Sequence, residues 1–360
     1  MTVRHLIVAA VAAVLAGCAA LDGERQGVGA PAPAALETPS VGTTGEDAAD
    51  DPAIWASATP VRFGDHAIRG FVAGTDKKAG LYIYGLDGAI LQFLPEGRLN
   101  NVDLVDGLAI QGRPQVVLGA SDRTVGKAGI ALYRFDPAAG AGAQVQVWGH
   151  IPTDVVEPYG FCMTRRGAEV HAILLGHEGE LRQFLLGAGA GGEPVAREVR
   201  RAEVGSISEG CAADPQSDAL YVAEEGVGIW RYGLDPASGA ARTLLQGVAP
   251  GVLVADVEGL TILEDGAARY LIASSQGDST FAVWRLDGAA PAFVGRFVVA
   301  DGAVDGVTGT DGLDALGGPV GDAFPEGLVV VQDDVNDRGT QNFKFVDWRE
   351  IRAALASAAP

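Results

Sequence analysis

The sequence predicts an all-β protein, a six-bladed β-propeller of four-stranded antiparallel blades. Three observations carry that prediction: short aromatic strands that resemble one another along the chain, a spacing near 50 residues, and an acidic residue recurring at one point of each unit. A period of this length with about four strands per repeat is the signature of propeller blades. A β-sandwich also supplies short strands, but it would not place six acids in register.

The aromatic strands are Gly80-Leu81-Tyr82-Ile83-Tyr84, Ile130-Ala131-Leu132-Tyr133-Arg134-Phe135, Leu181-Arg182-Gln183-Phe184, Gly228-Ile229-Trp230-Arg231-Tyr232, Phe281-Ala282-Val283-Trp284-Arg285 and Phe343-Lys344-Phe345-Val346-Asp347-Trp348. Four of them run into a turn, at Asp87-Gly88, Asp136-Pro137, Asp235-Pro236 and Asp287-Gly288. Each follows a loop and, before it, an aliphatic strand such as Val116-Val117-Leu118-Gly119 or Leu328-Val329-Val330-Val331, so the unit is strand, loop, strand, turn.

One further strand opens each unit with an acid: Asp51, Asp103, Glu157, Glu209, Glu258 and Asp311. Neighbours in that series are 52, 54, 52, 49 and 53 residues apart, and six blades fill the chain from about Asp47 to Ile351. In a propeller the innermost strand of every blade lies beside the axis, so equivalent positions form a ring at one end of the channel. Asp50, Asp51, Asp103, Glu157, Glu209, Glu258 and Asp311 are therefore expected to converge, with Lys77, Lys78, Arg123, His177, Glu178 and Glu225 on the loops around the same mouth.

Carboxylates packed this closely cannot all stay ionised in a partly dry site without cations. Oxygen ligands without a Cys or dense His cluster point to Ca²⁺ or Mg²⁺. Calcium is favoured because it accepts six to eight oxygens in loose geometry. Several ions are expected. Lys77, Lys78 and Arg123 have three readings: they neutralise local acids, face solvent, or hold a polyanion such as a phosphate ester over the metal-loaded ring.

The N-terminal segment reads as an address. Arg4 and His5 precede an apolar run from Leu6 to Ala16, too short to cross a bilayer as a mature helix. Leu15-Ala16-Gly17-Cys18 closes the run and resembles a bacterial lipobox, with cleavage before Cys18 and acylation of that residue; an ordinary signal peptide with a chance cysteine is the alternative. The expected division is a lipoprotein signal peptide over 1–17, a flexible Gly/Ala/Pro-rich tether over 18–38, and the propeller over 39–360. A strand between Glu37 and Asp47 is the candidate to close the last blade. The expected location is outside the cytoplasm, on a bacterial membrane, facing periplasm or cell exterior. Cys162 and Cys211 either pair or remain two buried thiols, and export permits a disulfide.

Composition sets the sign of the partners. The chain has 26 Lys plus Arg against 46 Asp plus Glu, a formal charge of −20. It repels phosphate backbones, so nucleic acid is not an expected partner, and any other phosphate-bearing ligand needs cations in between. A membrane is reached only through the lipid, and the propeller is expected to be monomeric.

Several strings carry a family resemblance: Asp50-Asp51-Pro52-Ala53-Ile54-Trp55, Asn100-Asn101-Val102-Asp103, Tyr159-Gly160-Phe161, Tyr221-Val222-Ala223-Glu224-Glu225, Asp256-Val257-Glu258-Gly259-Leu260-Thr261-Ile262 and Gln341-Asn342-Phe343-Lys344. In unbroken order over almost all of the chain after Thr38, they resemble the β-propeller phytases. The resemblance implies hydrolysis of phytate, myo-inositol hexakisphosphate, taken up as a calcium complex, with calcium needed for stability and activity. It places calcium ligands at Asp50, Glu209, Glu225, Asp256, Glu258, Asp305 and Asp311, and phosphate contacts at Lys77, Arg123 and Tyr159. Lys78 falls where a further phosphate-binding lysine is expected, and Glu178 at a catalytic acid position. Two departures stand out: His177 where the family commonly has Lys, and Gly309 in place of an acid near Asp311.

No Arg-His-Gly-x-Arg, Cys-x5-Arg or Gly-x-Ser-x-Gly string supplies a nucleophile. Attack by a metal-activated water is the remaining economical route, with Glu178, Glu209, Glu225 and Tyr159 as the catalytic set. Two rivals are a calcium-dependent propeller lactonase or esterase, which would not need Lys77, Lys78 and Arg123, and a non-catalytic surface-binding propeller.

Overall fold

A computed structural model describes residues 26–45 and 47–358. The signal segment and Cys18 lie outside the described residues. The strands form six antiparallel sheets whose innermost strands follow one another around an axis, each beside the next and the sixth beside the first. These inner strands are Ala49–Phe63, Leu99–Ile110, Pro158–Arg166, Ser208–Asp214, Val257–Asp265 and Leu313–Gly317, which define blades 1 to 6. The six-bladed, four-stranded architecture expected from the repeat is present.

Each blade is a meander running outward from the axis, with turns alternating between the two faces. The recurrent aspartates end the third strands. Asp87, Asp136 and Asp235 each turn a side-chain oxygen back to the backbone N–H two residues on, at 3.1, 2.9 and 2.9 Å. That local bond favours a turn over continued strand. Hydrophobic clusters lie between blades rather than within them. Trp55, Phe63 and Phe71 of blade 1 meet Phe135 of blade 2, for example, and a comparable cluster fills each of the six seams. Burying both faces of every sheet is what lets a chain of modest charge content hold this shape.

The boundary at residue 39 differs from the sequence reading. Ala30–Pro33 adds a fifth, parallel strand to blade 5, and Leu36–Glu37 pairs with Asn342–Asp347 as the outer strand of blade 6. The last blade is thus closed by the N-terminal segment, just ahead of the expected 37–47 window. Low hydrophobicity hid these strands: Ala30-Pro31-Ala32-Pro33 offers only two methyl side chains inward, and Pro31 and Pro33 are exposed. A helix over Trp348–Ala358, which the repeat did not foresee, packs on blades 5 and 6, with Trp348 Nε1 donating to Asp265 at 3.0 Å.

At the level of the acidic residues, the inner strands approach one another closely at four glycines. A Cβ on Gly160 would strike the carbonyl oxygen of Glu209, one on Gly210 that of Glu258, and Gly259 and Gly312 back onto Asp311 and Asp50 in the same way. Backbone cannot yield as a flexible side chain can, so Gly210→Ala is expected to cost about 3 kcal/mol by overpacking. Urea unfolding of that variant against wild type measures it; an unchanged midpoint would remove the close-approach account.

Candidate functional site: an acidic mouth on the propeller axis

Each glycine follows the residue that points to the axis. The ring is Asp50, Asn100, Tyr159, Glu209, Glu258 and Asp311, and in blades 1 to 5 it sits at a β-bulge of the inner strand. A bulge kinks the strand and re-aims a side chain. Four of the expected acids are in this ring. Asp103 and Glu157 are not, because the acid in blades 2 and 3 is offset from the bulge by three residues and by two. Asp103 lies deeper, accepting the backbone N–H of Met163 at 2.6 Å. Glu157 is exposed, 3.7 Å from Arg123. Asp51 is next to the ring but turns into the seam, where it accepts Val102 N–H at 3.0 Å. Asn100 was missed as a ring member; the bulge register, not residue charge, is the signal that would have found it.

Lys77 enters the mouth from the loop after the second strand of blade 1 and is 4% exposed. Its ammonium lies 2.9 Å from Asp47, 3.0 Å from Asp50 and 2.7 Å from Asp311. Burial works against its charge, but Asp50 and Asp311 outweigh that and raise its pKa. Of the three readings open to this lysine, the structure gives the one in which it neutralises local acids. On the other side of the axis, one oxygen each of Glu209, Glu225 and Glu258 lie within 4.8 Å of one another. Asn100 donates to Glu209 Oε1 at 2.7 Å, and the Asn101 amide, with its nitrogen toward the acceptors, donates to the same oxygen and to the Tyr159 carbonyl, both at 2.9 Å. Gln276 bridges Glu258, at 3.2 Å, and Asp311.

The electrostatics follow from this crowding. Burial, opposed by Lys77 and reinforced by Asp311, pushes Asp50 up to about 6. Burial and the neighbouring Asp50 raise Glu209 well above the carboxylate range, as burial and Asp311 raise Glu258. Burial and Asp256 push Glu225 up to about 7, against His177 and a hydrogen bond with Tyr159. The Tyr159 phenol is held protonated, first by the Glu209 carboxylate and then by burial. One ammonium cannot neutralise this set.

A pH dependence follows. Acids with raised folded-state pKa values keep protons that the unfolded chain releases near 4, so stability falls as pH rises from about 4 through the folded pKa values and is flat above them. Asp50, rising from 3.8 to about 6, accounts for roughly 3 kcal/mol of that loss. Metal-free protein in chelator is expected to melt at a lower temperature at pH 8 than at pH 5, by calorimetry at fixed ionic strength. The reverse slope would mean that the acids are ionised without metal.

The rim is built by blades 2, 3 and 4. Arg123 sits over the Tyr159 ring, 6.0 Å from its centre, and His177 meets that ring edge-on at 5.2 Å. His177 Nδ1 is 3.2 Å from Glu178 Oε1, and the Glu178 carboxylate is exposed. Lys78 lies on the same loop as Lys77, and Asp256 is close enough to Glu225 to raise it. Asp305 does not belong to this cluster. It accepts from Lys344 at 2.5 Å, and Glu37 and Asp333 engage the same buried ammonium. Burial opposes, and the Lys344 hydrogen bond prevails, so the Asp305 carboxyl is held below its usual range.

Fold and site together define a propeller whose axial mouth gathers carboxylates that could hold a metal ion, with a basic and phenolic rim beside it. A family model described as Phytase matches residues 2–359. The 3-phytase of Bacillus subtilis is 36% identical over 321 residues, 87% of this chain and 82% of that protein. The chain belongs to the phytase family and is a hydrolase. Among solved structures, BBS1N in complex with ARL6DN superposes with a TM-score of 0.44 at 12% identity over 77% of this chain and 75% of that one. A GH43_1 enzyme from Xanthomonas citri gives 0.40 at 13% identity over 64% and 83%.

Proposed function

We propose that this chain is a calcium-dependent phosphomonoesterase that hydrolyses phytate to lower inositol phosphates and inorganic phosphate. The observation that carries the reading is the close group of Glu209, Glu225 and Glu258 oxygens beside Asp50, a fully buried carboxylate that meets the Lys77 ammonium at 3.0 Å from Oδ1 and has no hydrogen-bond donor at Oδ2. Such a set is costly unless cations enter it. All the donors are oxygens, at an irregular bulged ring rather than a compact octahedron, which suits calcium better than magnesium. Asp50, Glu209, Glu225, Glu258 and Asp311 would hold several ions, with Asp256 beside them.

Calcium bound by these carboxylates would supply Lewis-acid charge for the phosphate oxygens and a lowered pKa for the attacking water. The protein's own groups do the rest. The protonated Tyr159 phenol donates a hydrogen bond to an equatorial oxygen, and Arg123 above its ring offsets charge on the same phosphoryl group. Lys77 holds the metal-binding carboxylates of Asp50 and Asp311 together and presents its charge from beneath the phosphate; Lys78 and His177 extend the cationic rim for neighbouring phosphates. Glu178, exposed and paired to His177, would orient the attacking water or help protonate the leaving inositol oxygen. The substrate is a calcium–phytate complex, because free phytate meets a chain of charge −20. We extend the same proposal to export, acylation of Cys18 and a monomeric propeller.

The test is phosphate release from phytate across a calcium titration and in chelator, with a lactone and a carboxylic ester as parallel substrates. Release that rises with calcium and vanishes in chelator is expected. No release at any calcium concentration, or lactone turnover instead, would overturn the reading.

A further inference from the structure

Three residues past each ring position, the inner strands carry Ala53, Asp103, Cys162, Ala212, Thr261 and Asp314. Where that residue is polar it accepts a backbone N–H from the next blade: Asp103 from Met163 at 2.6 Å, Thr261 from Ala315 at 3.2 Å, and Asp314 from Ile54 at 2.8 Å. Blade 1 has Ala53 there, and Asp51 makes the equivalent bond to Val102 N at 3.0 Å. These bonds form a belt one layer below the ring. It matters because neighbouring blades are separate sheets with no shared ladder.

At the seam between blades 3 and 4 the belt is covalent. Cys162 and Cys211 are disulfide-bonded, with Cα atoms 5.7 Å apart and both residues buried. The bond lines a cavity of about 170 Å³ beneath the ring, together with Asp51, Asp103 and Asp314. Cys162 is three residues from Tyr159 and Cys211 is two from Glu209. The same seam holds the closest backbone approach in the ring, Gly160 against the Glu209 carbonyl.

We propose that Cys162–Cys211 is a positioning element of the active site: it fixes the spacing between Tyr159 and Glu209, doing covalently what Asp51, Asp103, Thr261 and Asp314 do by hydrogen bonds at other seams. The cysteines touch neither substrate nor metal. They act through the two ring residues directly above them, where a misplacement of about 1 Å can cost on the order of a hundredfold in rate. The calcium readout rests on the proposed function; the exchange readout does not.

The test compares wild type with Cys162→Ala/Cys211→Ala and with Cys162→Thr/Cys211→Ala, which restores a side chain able to accept the next blade's N–H as Thr261 does. Amide hydrogen exchange at 25 °C is expected to speed up about tenfold in segments 159–163 and 209–213 of the double-alanine variant, with the other inner strands unchanged. Its calcium titration midpoint should rise about five- to tenfold, and the threonine variant should recover most of both effects. A lower melting temperature with unchanged exchange in those segments would show a merely structural bond and overturn the proposal. Two free thiols in the oxidised wild type would do the same. If wild type bound no calcium, the functional reading would fail while hydrogen exchange still decided the positioning role.

Discussion

Adding a chelator at pH 7.5 is expected to lower the melting temperature on the order of 15 °C, with calcium in excess restoring it and magnesium at the same concentration failing to. The size follows from linkage. An ion present at a thousand times its dissociation constant stabilises the folded state by about 4 kcal/mol. Two such ions give about 8 kcal/mol, at roughly 2 °C per kcal/mol for a domain of this length. The cause is the ring itself: Asp50, Glu209 and Glu258 are buried and repel one another, and Lys77 is the one ammonium among them in the described residues. Differential scanning calorimetry reads the shift. A transition that does not move would leave the buried carboxylates neutralised by protons alone.

Glu209→Gln is expected to reduce phosphate release by at least about a hundredfold while making the metal-free protein more stable. The two effects have opposite signs for one reason. Glu209 is a fully buried carboxylate whose charge is opposed by burial and by Asp50. An amide removes that repulsion, and its oxygen still accepts from Asn100, now at 2.7 Å from Oε1. The same change deletes a ligand from the Glu209, Glu225 and Glu258 group, and altering even the supports of metal ligands costs ten- to a hundredfold in affinity or activity. Calorimetric calcium titration with melting in chelator checks both halves. Normal calcium binding with full phosphate release would rule out Glu209 as a ligand, as the same result in Asp311→Asn would for Asp311.

The propeller was legible because its repeat is nearly constant, and the ring only in part because acidity is a poor marker of register. Asp50, Glu209, Glu258 and Asp311 are charged where the bulge turns them inward. Blades 2 and 3 use Asn100 and Tyr159 there, and their nearby acids, Asp103 and Glu157, serve a seam and the surface. The glycine after Tyr159, Glu209, Glu258 and Asp311 marks the register better, since it is required by the next strand's backbone. The cysteine pair had a similar clue: a separation of 49 is one repeat, which puts both on adjacent inner strands. Depth was the least readable property. In Asn342-Phe343-Lys344-Phe345-Val346-Asp347 every residue is buried, so no alternation shows that Lys344 faces Asp305 and Glu37 rather than water. For Lys77 the sequence left three readings open, and its burial among Asp47, Asp50 and Asp311 is the one in which it neutralises local acids.

The docking of Gln26 and Gly27 limits where the mouth can be. Gln26 Nε2 donates to Val299 and Val307 carbonyls at 2.6 and 2.8 Å, and Gly27 N–H to the Asp278 carbonyl at 2.6 Å. Asp278 belongs to the loop that sends Gln276 into the acidic mouth. Entry is therefore on the mouth's side of the propeller. Between Cys18 and Gln26 lie eight residue steps, a reach of at most roughly 28 Å. With an acyl chain on Cys18, that short leash would tilt the catalytic face toward the bilayer, so an anionic lipid surface would repel phytate while concentrating calcium beside the site. Orientation, as well as affinity, would then set which ions and phosphates the enzyme meets.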